Sequence, residues 1–140
     1  MKPTVIDASA SAAWVLPDEF SDAAKDLFAD ACADDGSFRA PQLWTWEMGN
    51  LLVMAQRRGR IAANAAEAAL HALSLVRMHF DPAPDLHRQQ QIARLALTHD
   101  LTYYDATYLE LVLRLNGQLA SRDRKLLDVA ASCGIVCLRF

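Results

Sequence analysis

Residues 3–14, PTVIDASASAAW, place a short apolar run directly before an aspartate and an alanine-rich segment. The apolar run contains β-branched residues, as buried strands do, and the segment after Asp7 has the composition of a helix. After a break at Pro17, hydrophobic residues recur at helical spacing, which predicts a second helix ending near Gly36. The chain therefore opens with a strand, then helices.

The same alternation of strand and helix continues along the chain. Further short strands are predicted at 38–40, 78–80, 118–121 and 135–138. Further helices are predicted at 41–59, where Pro41 opens the helix and Gly59 ends it, and at 61–77, 85–98, 102–116 (with Gly117 as the C-terminal cap) and 123–132. Short apolar strands separated by helices predict an α/β fold whose central parallel sheet, of about five strands, is covered on both faces.

Composition narrows the class of protein. A chain of 140 residues suits a single domain, 1–140, and its net charge of −3 excludes a protein that coats nucleic acid through overall basicity. The three cysteines and four histidines lack the spacing of a zinc site. Because we find neither a signal peptide nor a run of roughly 20 apolar residues, we expect a cytoplasmic protein with no membrane segment.

Two aspartates follow predicted strands. Asp7 comes directly after the first strand and Asp123 just after the fourth, and the carboxyl ends of parallel strands are where binding sites form. Each aspartate also precedes a predicted helix, and taken alone each is better explained as an N-terminal cap. A functional role for either residue therefore depends on the other acids of the chain.

Two further acids lie within helices. Glu47 is four residues from both Leu43 and Leu51, on an apolar stripe where an ionised carboxylate needs a cation, a donor or solvent. Asp105 has apolar residues at helical spacing, which turns it toward the core. Thr102 and Asp105 also match a capping box, which is the competing explanation for Asp105.

Taken together, the four acids point to a metal site. They come from four separate segments, and no lysine or arginine holds an obviously inward position that would neutralise them all. Clustered carboxylates repel one another, and Mg²⁺ or Mn²⁺, which prefer oxygen ligands, relieve that repulsion. Such sites are suited to phosphodiester hydrolysis.

At these residues the sequence resembles the PIN-domain ribonucleases, most closely the VapC toxins of bacterial toxin–antitoxin pairs. Four segments carry the resemblance in order: VIDASASAAWVLPDE, PQLWTWEMGNLL, LTYYDATYLELV and LASRDRKLLDVAASCGI. The resemblance implies metal-binding and catalytic roles for Asp7, Glu47, Asp105 and Asp123. It places Ser9, Asn50 and Ser121 beside them as supporting residues.

The resemblance also implies a three-layer α/β/α fold, Mg²⁺ or Mn²⁺ dependence and endonucleolytic cleavage of RNA. It further implies a homodimer and a cognate antitoxin protein as partner. The alternatives are a catalytically silent PIN-fold binding partner and a receiver-type Mg²⁺-binding regulatory domain. The receiver domain is disfavoured because its middle strand ends in an aspartate, whereas Glu47 lies in a helical pattern.

Basic residues near the acids are candidates for RNA contact. Arg122, Arg124 and Lys125 flank Asp123, and a role in guiding phosphates competes there with simple solvation. Arg57, Arg58 and Arg60 follow the Glu47 helix, where cations also stabilise the negative helix end.

Overall fold

Short parallel strands form the middle layer of the protein. A computed structural model of the chain describes residues 2–33 and 37–139. Its strands are β1 (Thr4–Ile6), β2 (Phe38–Pro41), β3 (Met78–Asp81), β4 (Gln118–Ala120) and β5 (Val136–Leu138). Its helices are α1 (Ala8–Val15), α2 (Asp22–Ala33), α3 (Leu43–Arg57), α4 (Ala65–Leu73), α5 (Leu86–His99), α6 (Tyr103–Leu115) and α7 (Arg124–Ser132), with a 3-10 turn at Pro17–Glu19.

The five strands pair in the order β3-β2-β1-β4-β5, and every pairing is parallel. The predicted α/β fold with a parallel central sheet is therefore confirmed. The chain moves outward from β1 through β2 to β3, and then returns to place β4 on the other side of β1. The direction of winding thus reverses between β1 and β4, and a crevice forms at the carboxyl ends of strands at such a reversal.

Both faces of the sheet are covered by helices. Val5 and Leu119 belong to one core cluster, to which α3, α6 and α7 contribute buried side chains. Ile6 and Ala120 belong to a second cluster, together with Ala31 of α2. Because successive strand residues point to opposite faces, neighbouring strand positions supply both cores. The three-layer α/β/α architecture follows from this arrangement.

Four charged side chains tie β3, α5 and α6 together in what we call the arginine-paired network. Asp81 accepts hydrogen bonds from Arg88 and Arg114, with Arg114 Nη2 at 2.6 Å from Asp81 Oδ2. Glu110 Oε1 accepts from Nε of both arginines, at 3.0 Å each. Only 6% of the Glu110 side chain is exposed, so its burial depends on these two cations.

Several predicted boundaries were wrong for identifiable physical reasons. Pro41 ends β2 instead of opening α3, since a proline without an N–H group is tolerated at a strand end. The predicted helix 61–77 is reduced to α4, because Asn64 adopts the left-handed conformation (φ 70°) before it. After α4 the chain turns, and Arg77 N–H donates to Ala31 O at 2.9 Å. The predicted helix end near Gly36 lies outside the described residues.

Gly117 was predicted to cap α6, but the left-handed residue there is Asn116, with φ 49°. Gly117 is required for a different reason, since a Cβ at this position would lie 2.5 Å from the carbonyl oxygen of Pro3. The close approach allows the N–H of Gln118 to donate to that same oxygen at 2.9 Å. Gly59, by contrast, has the positive φ of 72° expected of a residue that ends a helix.

Candidate acidic site

Asp7 is the most buried acid of the site, with 4% of its surface exposed. It follows β1 directly and caps α1, because its Oδ1 accepts a hydrogen bond from Ala10 N–H at 3.0 Å. The predicted N-cap is therefore present. The cap uses only part of the carboxylate, since two carboxylate oxygens offer about four acceptor positions.

Ser9 and Ser121 hold the Asp7 carboxylate from both sides. Ser9 Oγ donates to Oδ1 at 2.7 Å, and Ser121 Oγ donates to Oδ2 at 2.6 Å. The two hydroxyl oxygens are 3.2 Å apart. Because each hydroxyl has one proton and each gives it to Asp7, this short separation reflects convergence on the carboxylate. Both hydroxyls are oriented in turn by backbone N–H groups, of Arg122 toward Ser9 (2.9 Å) and of Asp123 toward Ser121 (3.0 Å).

Glu47 is half-buried on α3 and has a hydrogen-bond donor that the sequence analysis did not assign. The buried hydroxyl of Tyr108 donates to Glu47 Oε1 at 2.7 Å. The signal was its spacing, since Tyr108 lies three residues after Asp105 on the same side of α6. Asn50, predicted to support Glu47, is exposed one turn further along α3, and no described residue forms a hydrogen bond with its side chain.

A second unassigned link fixes α1 against α3. Ser11 Oγ donates to the carbonyl oxygen of Asp7 at 2.9 Å and accepts from Trp44 Nε1 at 2.8 Å. Trp44 lies one turn before Glu47 on α3. The backbone of Asp7 is therefore connected through two buried side chains to the helix that carries Glu47.

The other two acids lie at helix starts, as their capping interpretations predicted. Asp123 Oδ1 accepts from Leu126 N–H at 3.1 Å and caps α7. Thr102 caps α6 by accepting from Asp105 N–H at 3.0 Å, which leaves the half-buried Asp105 carboxylate in the first turn of the helix. A capping role thus coexists with a place in the acidic group.

The four carboxylates are close enough to perturb one another. Burial raises the pKa of Asp7, and the charge of Asp123 raises it further. Burial likewise raises the pKa of Glu47, with repulsion from Asp7 and Asp105 adding to the shift. The pKa of Asp105 is raised by burial and by repulsion from Asp123 and Asp7. None of the four carboxylates forms an ion pair with any residue in 2–33 or 37–139.

The chemistry of this donor set fits a hard divalent cation. All four side chains offer carboxylate oxygens, which Mg²⁺ and Mn²⁺ prefer, and a cation would relieve their repulsion. As the side chains stand, no three histidine, cysteine, aspartate or glutamate residues of the described chain are placed to hold a metal ion. The donors therefore suit a cation by type and charge, and both carboxylate oxygens of Asp7 are already held in place by hydrogen bonds.

The basic residues near the site divide into engaged and free side chains. Arg122 Nη1 lies 3.2 Å from Glu19 Oε1, and Lys125 Nζ lies 3.0 Å from Asp100 Oδ2. Arg124 is exposed and makes no ion pair within the described part of the chain. Arg60, which follows α3, instead forms an ion pair with Asp18 at 2.9 Å and so stabilises the 3-10 turn.

Comparison with known proteins identifies what this architecture is similar to. The model of the PIN domain family matches residues 4–132. Ribonuclease VapC3 from Pyrobaculum aerophilum is 31% identical over 128 residues, which cover 89% of this chain and 92% of that protein.

Two crystal structures share the fold. That of PAE2754 from Pyrobaculum aerophilum has a TM-score of 0.70 at 23% identity, with 97% of this chain and 83% of that chain covered. That of FitAcB from Neisseria gonorrhoeae has a TM-score of 0.64 at 14% identity, with 96% of each chain covered. None of the described helices combines the length and hydrophobicity that crossing a bilayer requires.

Proposed function

Because this chain belongs to the PIN-domain family, we propose that it is a metal-dependent endoribonuclease acting as the toxin of a toxin–antitoxin pair. The observation that carries the proposal is Asp7. This carboxylate is buried beside three others at the reversal of strand order, and it has no cationic partner among the described residues. A relative of similar length that bears the name ribonuclease supports RNA as the substrate.

We propose that Asp7, Glu47, Asp105 and Asp123 hold Mg²⁺ or Mn²⁺. When bound, such a cation supplies an activated water and stabilises the leaving oxygen of a phosphodiester. The protein's own contribution is orientation. Ser9 and Ser121 fix both oxygens of Asp7, and Tyr108 fixes one oxygen of Glu47. Hydrogen bonds of this kind hold ligands in place and leave little reorganisation for the reaction step.

The RNA strand must approach an acidic site, so local basic groups have to offset repulsion from its phosphates. Arg124 is available for this role, whereas Arg122 and Lys125 would first exchange Glu19 and Asp100 for phosphate oxygens. Those ion pairs are exposed and therefore weak, so the exchange costs little. We accordingly retain Arg122, Arg124 and Lys125 as the proposed RNA contacts.

The proposed partners are a second copy of the chain and a cognate antitoxin. Leu70 of α4 and Leu75 after it expose about half of their surfaces, which favours a homodimer. An antitoxin arginine can take the place of the cation by pairing bidentately with the carboxylates. A single domain over 1–140 and a cytoplasmic location remain predictions.

The test is cleavage of RNA by the wild-type chain with Mg²⁺, with Mn²⁺ and with EDTA. Linear and circular forms of one unstructured RNA serve as substrates, because only an endonuclease opens a circle. We expect both forms to be cut with either metal and neither with EDTA. Cleavage that persists in EDTA would contradict the metal site. A folded protein that binds RNA but cuts neither form would instead be the silent binding partner.

A further inference from the structure

A cleft of about 180 Å³ lies beside the acidic site, between the starts of α3 and α6. We call it the aromatic cleft, and its rings and prolines are Trp46, Tyr103, Tyr104, Pro41, Pro82 and Pro84. Trp46 is 70% exposed and Tyr104 is 60% exposed. Large aromatic rings left this open contribute little to the core, so their exposure calls for an occupant of the cleft.

The aromatic cleft and the acidic site draw on neighbouring residues of the same two helices. Trp46 directly precedes Glu47 on α3, and Tyr104 directly precedes Asp105 on α6. The hydrogen bond from Tyr108 to Glu47 links these two helices. None of the four carboxylates lines the cleft itself, so the cleft is a neighbouring surface that a group next to the phosphodiester could occupy.

We propose that an unpaired base of single-stranded RNA stacks in the aromatic cleft, beside the bond to be cut, and this inference rests on the proposed function. Bases splayed out of single strands stack on tryptophan and tyrosine faces, largely irrespective of sequence. The cleft is smaller than the roughly 300–1,000 Å³ of pockets for whole small-molecule ligands, so it suits one planar group. Both helices begin at the cleft, and their positive N-terminal ends attract the adjoining phosphates.

The first experiment measures binding without cleavage. Hexauridylate is titrated in EDTA while tryptophan fluorescence is recorded, and an abasic ribose-phosphate oligomer of equal length is the matched ligand. Trp46 is the exposed tryptophan, whereas Trp44 is buried and Trp14 half-buried. We expect quenching by hexauridylate and much less by the abasic oligomer, because only the former carries bases to stack.

The variants separate stacking from a general effect on the fold. Because the Trp46 variants lack the fluorescent reporter, isothermal titration calorimetry in EDTA measures hexauridylate binding for all variants. Trp46→Ala and Tyr104→Ala should each weaken that binding roughly 5- to 150-fold, and Trp46→Phe should keep most of the affinity. Leu97→Ala, at a side chain 85% exposed on α5, is the control and should bind like the wild type. With Mg²⁺ present, Trp46→Ala should raise KM and leave kcat at saturating RNA near the wild-type value.

Each other outcome decides the matter. Equal binding of hexauridylate and its abasic counterpart overturns the proposal. So does a Trp46→Ala variant that binds RNA normally but loses self-association or antitoxin binding, since a protein then occupies the cleft. If the wild type cuts RNA and Trp46→Ala does so with unchanged KM, stacking is wrong and the nuclease stands. If base-dependent quenching occurs but no metal supports cleavage, stacking stands and the proposed nuclease fails.

Discussion

The acidic site and the arginine-paired network both bury carboxylates, but they differ in what faces those carboxylates. In the network, Asp81 and Glu110 each contact the guanidinium groups of Arg88 and Arg114. In the acidic site, the polar partners of Asp7 are two serine hydroxyls and a backbone N–H group. Hydroxyls and amides orient a carboxylate without cancelling its charge.

We interpret the carboxylates of the network as structural and propose those of the acidic site as ligands for a cation. A buried carboxylate with arginine partners is neutralised within the fold and has no need of a further cation. A group of carboxylates that repel one another keeps raised pKa values, as burial and mutual charge do for Asp7, Glu47 and Asp105. Burial of an acid is therefore a poor indicator of function until its partners are known.

Asp7→Asn should give the largest effect on activity. If Asp7 is a cation ligand, as we propose, its loss removes several kcal/mol of transition-state stabilisation, and kcat/KM for RNA cleavage should fall by roughly three orders of magnitude. Asparagine caps a helix about as well as aspartate, so the fold should survive. Calorimetric titration with Mg²⁺ should show weakened binding. A soluble variant that cuts at the wild-type rate would remove Asp7 from the site.

The same variant also tests the repulsion within the acidic site, through the dependence of the free energy of unfolding on pH. Burial raises the pKa of Asp7 above its ordinary 3.8, so the native state binds more protons than the unfolded state. The favourable contribution of this group is complete below pH 3.8 and is lost as pH rises through the folded pKa. In EDTA, the free energy of unfolding of Asp7→Asn, measured with urea, should increase relative to that of the wild type as pH rises through the folded pKa of Asp7. A variant that loses stability instead would contradict a repulsive acidic site.

Glu110→Ala should have the opposite effects: the free energy of unfolding should fall, and the rate of RNA cleavage should change little. The variant leaves Arg88 and Arg114 without one of their two carboxylates, and breaking a buried pair costs about 3 kcal/mol at the low end of the usual range. The low end applies because Arg114 is partly exposed. Urea unfolding measures the loss, and Glu67→Ala at an exposed position of α4 should change it by less than about 0.5 kcal/mol. A cost as small as that of the control would mean the network is not structural.

Tyr108→Phe should have a smaller effect, confined to metal affinity. Removing the donor to Glu47 should weaken Mg²⁺ binding about 10- to 100-fold, as loss of a hydrogen bond to a ligand side chain does elsewhere. At saturating Mg²⁺, kcat should return close to the wild-type value. Calorimetry reports the affinity independently of cleavage, and Tyr104→Phe, which keeps an exposed ring, is the matched control. Unchanged affinity would make Tyr108 a purely structural residue.

Much of the fold could be predicted because it rests on local patterns. Strand composition and helical periodicity depend on residues close in sequence, and they predicted all five strands. The errors at Pro41 and at residues 61–77 arose from the local backbone, at a strand end and at the left-handed Asn64, and the error at Gly117 arose from a distant contact. At Gly117, the approach of Pro3 decides the residue type, and the two are far apart along the chain.

The sequence by itself was enough to select the four acids as candidates, to place them after strands and in helices, and to predict two serines beside them. Only the tertiary structure decided their partners. It joined Tyr108 to Glu47 across two helices and Ser121 to Asp7 across two strands. It paired Arg88 and Arg114 with Asp81 and Glu110, which lie outside the acidic site. The physical reason is that a carboxylate's pKa and role depend on the few ångströms around it, and residues far apart in sequence fill that space.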